Sequence, residues 1–214
     1  MSSWIDISVP LYSGMVHWPG DPEVEITQKR LDVQGTVVHL TSMNMGAHTG
    51  THMDAPLHFV DGGQPMDSWE VEATNGPVHV IDIKDPKAVR AAELQQHRID
   101  HHSRIIFRTV NTHTNWPAQP FNEDFVYIAR DAARYLVEKQ VRMVGVDYLS
   151  IGGFHNDLVA THVTLLSAGV WVVEGLDLSA ISAGTYELAC MPLRLKGADG
   201  APARAFVRPI QAAA

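Results

Sequence analysis

Residues 48–58 read His-Thr-Gly-Thr-His-Met-Asp-Ala-Pro-Leu-His, and this run restricts the path of the chain more than any other. His48, His52, Asp54 and His58 crowd into it with only small residues, Met53, Leu57 and a proline between them. On an ideal helix residues four apart share a face, which would bring His48 to His52. The Thr-Gly-Thr between them is a poor helix segment. On an extended strand four residues span about 13 Å, too far for two imidazoles to meet at one ion about 2.1 Å from each. A bend is therefore expected near Gly50, where glycine tolerates the backbone angles required. Pro56 then stiffens the way out of the loop. Neutral imidazole and carboxylate are ligands for borderline divalent ions such as zinc or manganese. The spacing suits three ligands from one tight loop, His48, His52 and Asp54, with His58 close by as a fourth polar group. Three protein ligands leave a coordination position open, the mark of a catalytic rather than a structural site. The plain alternative, four solvated polar residues on a loop, gives no reason for the crowding.

Composition narrows what such a site can serve. Twenty-four acidic against sixteen basic residues give a formal charge of −8. That argues against nucleic acid, which needs a basic face, and supplies no polybasic patch for a membrane surface. One cysteine, Cys190, rules out an intrachain disulfide and thiolate zinc sites, and it reads as an inert buried thiol. No run of about 18 apolar residues predicts a membrane helix. The first residues lack a signal-peptide pattern, so a cytoplasmic protein is expected. There is no G-x-S-x-G elbow for a serine nucleophile and no glycine-rich nucleotide motif.

Along the chain, residues 4–9, 36–46, 78–83, 104–110, 143–146 and 170–176 read as strands, and 19–22 as a turn. Helices are expected over 87–96, over 122–140 from the spacing of Phe125, Ile128, Ala132, Tyr135 and Leu136, and from an Asn156–Asp157 cap to about Ala168. Residues 186–196 and 203–208 read as a hairpin around Gly197-Ala-Asp-Gly200. The sum is one α/β domain with a mixed sheet, parallel in the middle and antiparallel at the closing hairpin.

Further ligands must come from outside the loop. Glu174 ends the apolar run Val170-Trp-Val-Val-Glu174, and a carboxylate there is costly unless paired or bound to metal. Taken alone it reads equally as a surface residue. His162, in the helix after 157, reads alone more as an ordinary helix residue than as a ligand. His97, His101 and His102 read as a solvated turn, His39 and His79 as strand residues, and His113 and His155 as loop residues that could line a pocket.

The run 48–58, together with Glu174-Gly-Leu-Asp-Leu, Gly184-Thr-Tyr-Glu-Leu-Ala-Cys-Met-Pro-Leu-Arg-Leu and Ala198-Asp-Gly-Ala-Pro-Ala-Arg-Ala, resembles the cyclase family of metal-dependent hydrolases. That family includes bacterial kynurenine formamidases and isatin hydrolases, and the resemblance runs from about Trp4 to Arg208. It implies a partly barrel-like mixed sheet of the swivelling β/β/α type, flanked by helices. It implies two divalent ions per subunit, zinc favoured and manganese possible. His48, His52 and Asp54 would hold one ion and His162 the other, with Asp54 and Glu174 bridging. His58 would be the general acid/base. Trp18, which alone reads as a packing residue, would contact substrate. The stretch Asp147–Asn156 and the His58-Phe59 pair look more like the broader hydrolase branch than the formamidases. The implied activity is hydrolysis of a non-peptide amide, arylformamidase first, by hydroxide generated at the metal. A cyclic amide or lactone hydrolase is the second reading and a non-catalytic metal-binding sensor the third. A small-molecule substrate and at least a homodimer are expected.

Overall fold

Three short strands, Arg104–Arg108, Met143–Val146 and Trp171–Glu174, are apolar on both faces, the pattern of parallel strands covered on both sides. They form the middle of a closed sheet. The structure is a computed structural model that describes residues 3–210. In chain order its strands are β1 (Ile5–Asp6), β2 (Glu25–Val33), β3 (Thr36–Asn44), β4 (His52–Asp54), β5 (Asn75–Asp82), β6 (Ala88–Val89), β7 (Arg104–Arg108), β8 (Tyr127–Ile128), β9 (Met143–Val146), β10 (Trp171–Glu174), β11 (Gly184–Pro192) and β12 (Gly200–Pro209). The order β12-β11-β5-β7-β9-β10-β4 closes on itself, because β4 also pairs with β12. The run β5-β7-β9-β10 is parallel and the remaining ring pairs are antiparallel.

Strand alternation divides the side chains between two cores. Met53, Val80, Ile106, Met143, Val173, Leu188 and Val207 fill the barrel. Ile105, Phe107, Val144 and Val172 point outward against two helices, α3 (Arg130–Glu138) and α4 (Leu158–Ser167). Two further helices, α1 (Val71–Thr74) and α2 (Ala91–Leu94), are single turns. A third apolar cluster, with Met15, Trp116, Phe125 and Tyr148, packs beneath Trp18, Phe121 and Phe154. The mixed, partly barrel-like sheet expected from sequence is thus present and fully closed.

Several local expectations give way to tertiary contacts. Only Arg130–Glu138 of the expected 122–140 helix is helical. Phe125 is buried and stacks on Tyr148 at 4.4 Å between ring centroids, while Asp124 N–H donates to Asn122 Oδ1. Tyr127 and Ile128 pair as β8 with β6, which also replaces the start of the helix expected over 87–96. Asp157 precedes α4, but its carboxylate accepts from Arg130 N–H at the start of α3 rather than from its own helix. Gly169, at φ +75, follows the end of α4.

β3 falls where 36–46 was read as a strand, and it leads toward the histidine loop. Its partner β2, which the periodicity did not reveal, makes it the second arm of a projecting hairpin. Beyond Ile26 every residue of both strands is exposed. Leu31, Val33, Val38 and Leu40 share one face of its outer half.

Leu136 is fully buried between α3 and the sheet. Leu136→Ala should lower unfolding free energy by about 2–5 kcal/mol, the usual range for a buried leucine. Urea denaturation checks this, and a change below about 1 kcal/mol would contradict the packing described.

Candidate metal centre

The strand that closes the barrel carries the site. β4 is three residues long and hydrogen-bonds β10 on one side and β12 on the other. Met53 points into the barrel, so His52 and Asp54 point outward. In the antiparallel ladder Glu174 lies opposite His52, and Gly200 lies opposite Asp54 on the other edge. The bend anticipated at Gly50 is present, with φ +63. It folds His48 back toward Asp54. Pro56–His58 is a single 3-10 turn that begins at the proline and swings His58 over His48. Their rings stack with centroids 3.9 Å apart. α4 lies across the outer face of β10 and lowers His162 onto the same point.

Five side chains converge. His48 Nδ1 is 2.9 Å from Asp54 Oδ1, and His52 Nε2 is 3.5 Å from the same oxygen. His52 Nε2 is 3.1 Å from Glu174 Oε2, whereas His162 Nε2 is 3.3 Å from Glu174 Oε1 and 3.7 Å from Asp54 Oδ2. Each carboxylate thus turns one oxygen toward His52 and the other toward His162. Donor atoms around a tetrahedral ion at about 2.1 Å stand about 3.4 Å apart, close to these separations. His58 with His48 and Asp54 forms a second grouping whose ligand atoms lie within 4.8 Å of one another, beside that of His52, Asp54 and Glu174.

The outer nitrogens of the three rings are tied down. His52 Nδ1–H donates to Gly50 O at 2.9 Å and His162 Nδ1–H to Leu158 O at 2.7 Å. His48 Nε2–H donates to Asp199 Oδ2 at 2.9 Å. These partners assign the tautomers and leave the remaining nitrogens aimed inward, as ligating histidines are held. His52 Nε2 and Asp54 Oδ2 are buried with no hydrogen-bond partner. The approach of His52 to Glu174 lacks the alignment a hydrogen bond needs. Orphaned polar atoms in so dry a place are costly, and a divalent cation satisfies them. The residues fit such an ion.

Electrostatics agree. Burial alone would push the imidazolium of His48 down, but its bonds to Asp199 and Asp54 outweigh this and hold it up at about 10. Burial would raise Asp54, yet the bond from His48 and the charges of His48, His58 and His52 keep it well below the usual carboxylate range. His162 is raised, with its bond to Glu174 overcoming burial. His58 is lowered, chiefly by burial, which favours the neutral ring.

A cavity of about 220 Å³ opens onto the cluster, lined by Trp18, His48, His58, Phe59, His162 and Glu174 among others. Trp18 is braced edge-on by Phe121 at 5.2 Å and by a tilted Phe154 at 5.5 Å, and Phe59 stacks on His162 at 4.2 Å. All six residues singled out from sequence besides Asp54, together with Asp54 itself, therefore meet at one place: His48, His52, His58, His162, Glu174 and Trp18. His113 instead lines a separate cavity with Tyr12 and Trp116, and His155 pairs with Glu123 on the surface. Sequence reasoning missed Asp199. It stood in view as a hairpin-turn residue, and nothing local marked it as reaching His48.

Comparison with known proteins fits this geometry. A family model described as "Putative cyclase" matches residues 5–152. Kynurenine formamidases of Bacillus cytotoxicus and Bacillus cereus are each 34% identical over 209 residues, covering 98% of this chain and 99% of theirs. A solved structure described as a potential metal-dependent hydrolase with cyclase activity has a TM-score of 0.85 at 33% identity, covering 99% of this chain and 100% of its own. Isatin hydrolase A from Labrenzia aggregata shares the fold at a TM-score of 0.79 and 22% identity, over 98% of this chain and 94% of that one. End-to-end likeness to these enzymes makes the chain a metal-dependent hydrolase. The chain belongs to the cyclase family of these enzymes.

The charged His48 sets a pH dependence in protein stripped of metal. Its folded value, about 10, lies above the ordinary 6.5, so its stabilising contribution is complete below pH 6.5 and is lost as pH rises toward 10. The depressed Asp54 contributes above its ordinary 3.8 and loses that contribution as pH falls. Thermal unfolding of chelator-treated protein should therefore peak between about pH 4 and 6.5 and decline toward pH 10. Calorimetry across that range checks it, and a Tm that is flat or rising above pH 6.5 would contradict it.

Proposed function

We propose that this enzyme is an arylformamidase that hydrolyses N-formyl-L-kynurenine to L-kynurenine and formate in the cytoplasm. The observation that carries the reading is end-to-end kinship with kynurenine formamidases in a chain whose three histidines and two carboxylates converge beside an aromatic cavity. His48, His52 and Asp54 are assigned to one divalent ion and His162 to a second, with Asp54 and Glu174 shared. Zinc is favoured over manganese for this mixed donor set. An ion held there would activate water for attack and polarise the scissile carbonyl.

The remaining roles belong to the chain. Trp18 and Phe59 offer aromatic walls to a single-ring substrate. The cavity lies just under the usual range of about 300–1,000 Å³ for small-molecule sites, so one end of a formylkynurenine-sized molecule would stay at the mouth. His58 Nδ1–H is held by Asp199 at 3.2 Å, so its Nε2 is the atom that handles the proton. An amine leaving group needs a proton as the C–N bond breaks, and an imidazole that has taken up a proton on Nε2 can supply it. Phe59 and Leu158 keep the walls of the cavity apolar and limit competing water.

The first test is turnover of N-formyl-L-kynurenine by zinc- or manganese-loaded protein beside a chelated control. Metal-dependent kcat/KM of at least about 10⁴ M⁻¹s⁻¹ is expected. Absent or far slower turnover would overturn the substrate assignment in favour of a cyclic amide or lactone. His58→Ala should keep its metal and lose about 10²- to 10⁴-fold in rate. Full activity in that variant would remove His58 from the mechanism.

The reading includes a homodimer. A two-stranded hairpin packed on nothing is marginal in water, and here its outer half exposes Leu31, Val33, Val38 and Leu40 on one face. A second copy presenting the same face would cover it in a self-complementary contact. Sedimentation should show a dimer that Leu31→Lys with Leu40→Lys dissociates. A monomeric wild-type protein would refute the dimer.

A further inference from the structure

We propose that Asp199 is a positioning residue that sets two histidines at once, holding His48 with Nδ1 toward the ion and His58 with Nε2 toward the substrate. The inference rests on the reading of the site as a divalent-ion centre with His58 as proton carrier. One oxygen does both tasks. Asp199 Oδ2 accepts from His48 Nε2–H at 2.9 Å and from His58 Nδ1–H at 3.2 Å. It can do so because the two rings stack nearly parallel, at 23° between planes, and present their N–H edges to the same point.

The backbone makes the arrangement specific. Asp199 O accepts from Ala55 N–H at 2.8 Å, which ties the carboxylate to the segment that carries the ligands. Gly200 pairs with Asp54, and a Cβ at 200 would come within 2.4 Å of the His48 ring. The His48 ring therefore packs against a position that only glycine can fill without displacing it. His52 and His162 are anchored on main-chain carbonyls of their own segments. Among the three imidazoles assigned to metal, His48 alone relies on a distant side chain. The carboxylate itself is about half exposed, so it carries little of the desolvation cost borne by Asp54. An ordinary surface ion pair fixes nothing. Here the bond selects which nitrogen of each ring is free. Without it the imidazole of His58 is released to the other tautomer, with its proton on Nε2, and that of His48 is free to rotate.

Asp199→Ala tests this, with Asp199→Asn retaining shape and one acceptor oxygen as the control for folding. Zinc affinity of chelator-stripped protein, measured by competition with a chromophoric chelator, should fall about 10- to 100-fold in Asp199→Ala. Ring-nitrogen NMR of the zinc-loaded protein should show His58 protonated at Nδ1 in the wild type and shifted toward Nε2 in Asp199→Ala. At saturating zinc, formylkynurenine turnover should drop about 10²-fold in kcat with little change in KM, as expected when a reacting group is misplaced. In a His58→Ala background the same substitution should cost nothing further. Unchanged zinc affinity would overturn the part concerning His48. An unchanged His58 tautomer, or an equal kcat loss with and without His58, would overturn the other part. If the wild type does not turn over formylkynurenine, the formamidase assignment fails, and the zinc and NMR measurements still decide the role of Asp199.

Discussion

Everything about the site depends on a three-residue strand that is paired on both sides. β4 bridges β10 and β12, and without it the barrel has two open edges. Because side chains alternate along a strand, the same pairing that plugs Met53 into the barrel core must turn His52 and Asp54 to the outer face. A slip of one residue would turn both polar groups into the apolar barrel core and Met53 toward the cluster. Closure of the fold and assembly of the ligands are thus one event. That coupling explains why the ligands stand on rigid backbone rather than on a mobile loop.

Burying Asp54 and Glu174 beside each other is the main electrostatic problem this fold creates, since each carboxylate raises the cost of ionising its neighbour. The chain answers with imidazoles. His48, His52 and His162 surround the pair, and each is held from behind by a carbonyl or by Asp199. Without metal, the bonds of His48 to Asp199 and Asp54 outweigh burial and favour its protonated form, which puts a positive charge beside the pair. A divalent ion supplies the same positive charge and also satisfies the orphaned His52 Nε2 and Asp54 Oδ2. The same atoms therefore serve stability in one state and chemistry in the other.

The aromatic segments that brace Trp18 are not those that supply the candidate ligands, and they answer to different forces. Trp18 precedes the projecting hairpin, the histidine loop follows it, Phe121 comes from the connection before β8, and Phe154 from that between β9 and α4. Aromatic packing joins these loops. It is also what ended the expected helix at 122–140, because burying Phe125 against Tyr148 outweighs the continuation of a periodic pattern. Three of the five candidate ligands, His52, Asp54 and Glu174, stand on strands, while His48 comes from the bend before β4 and His162 from α4.

By itself the sequence determined whatever is local in the chain. The spacing of His48, His52 and Asp54 demanded a bend, and Gly50 was the residue able to make it. The apolar runs marked the strands of the sheet, while Glu174 at the end of one of them read equally as a surface residue until the resemblance was drawn. Only the tertiary structure could decide which distant groups meet those residues. Periodicity says nothing of the contact between Asp199 and His48, 151 residues apart, for it exists only once β4 pairs with β12. The same holds for Asp157, whose cap serves the neighbouring helix, and for β2, whose mixed polar run becomes a strand only against β3. Backbone geometry and side-chain pattern act over a few residues, whereas hydrogen bonds and burial act across the folded molecule. The ligand loop was therefore legible in sequence, and the carboxylate that positions it was not.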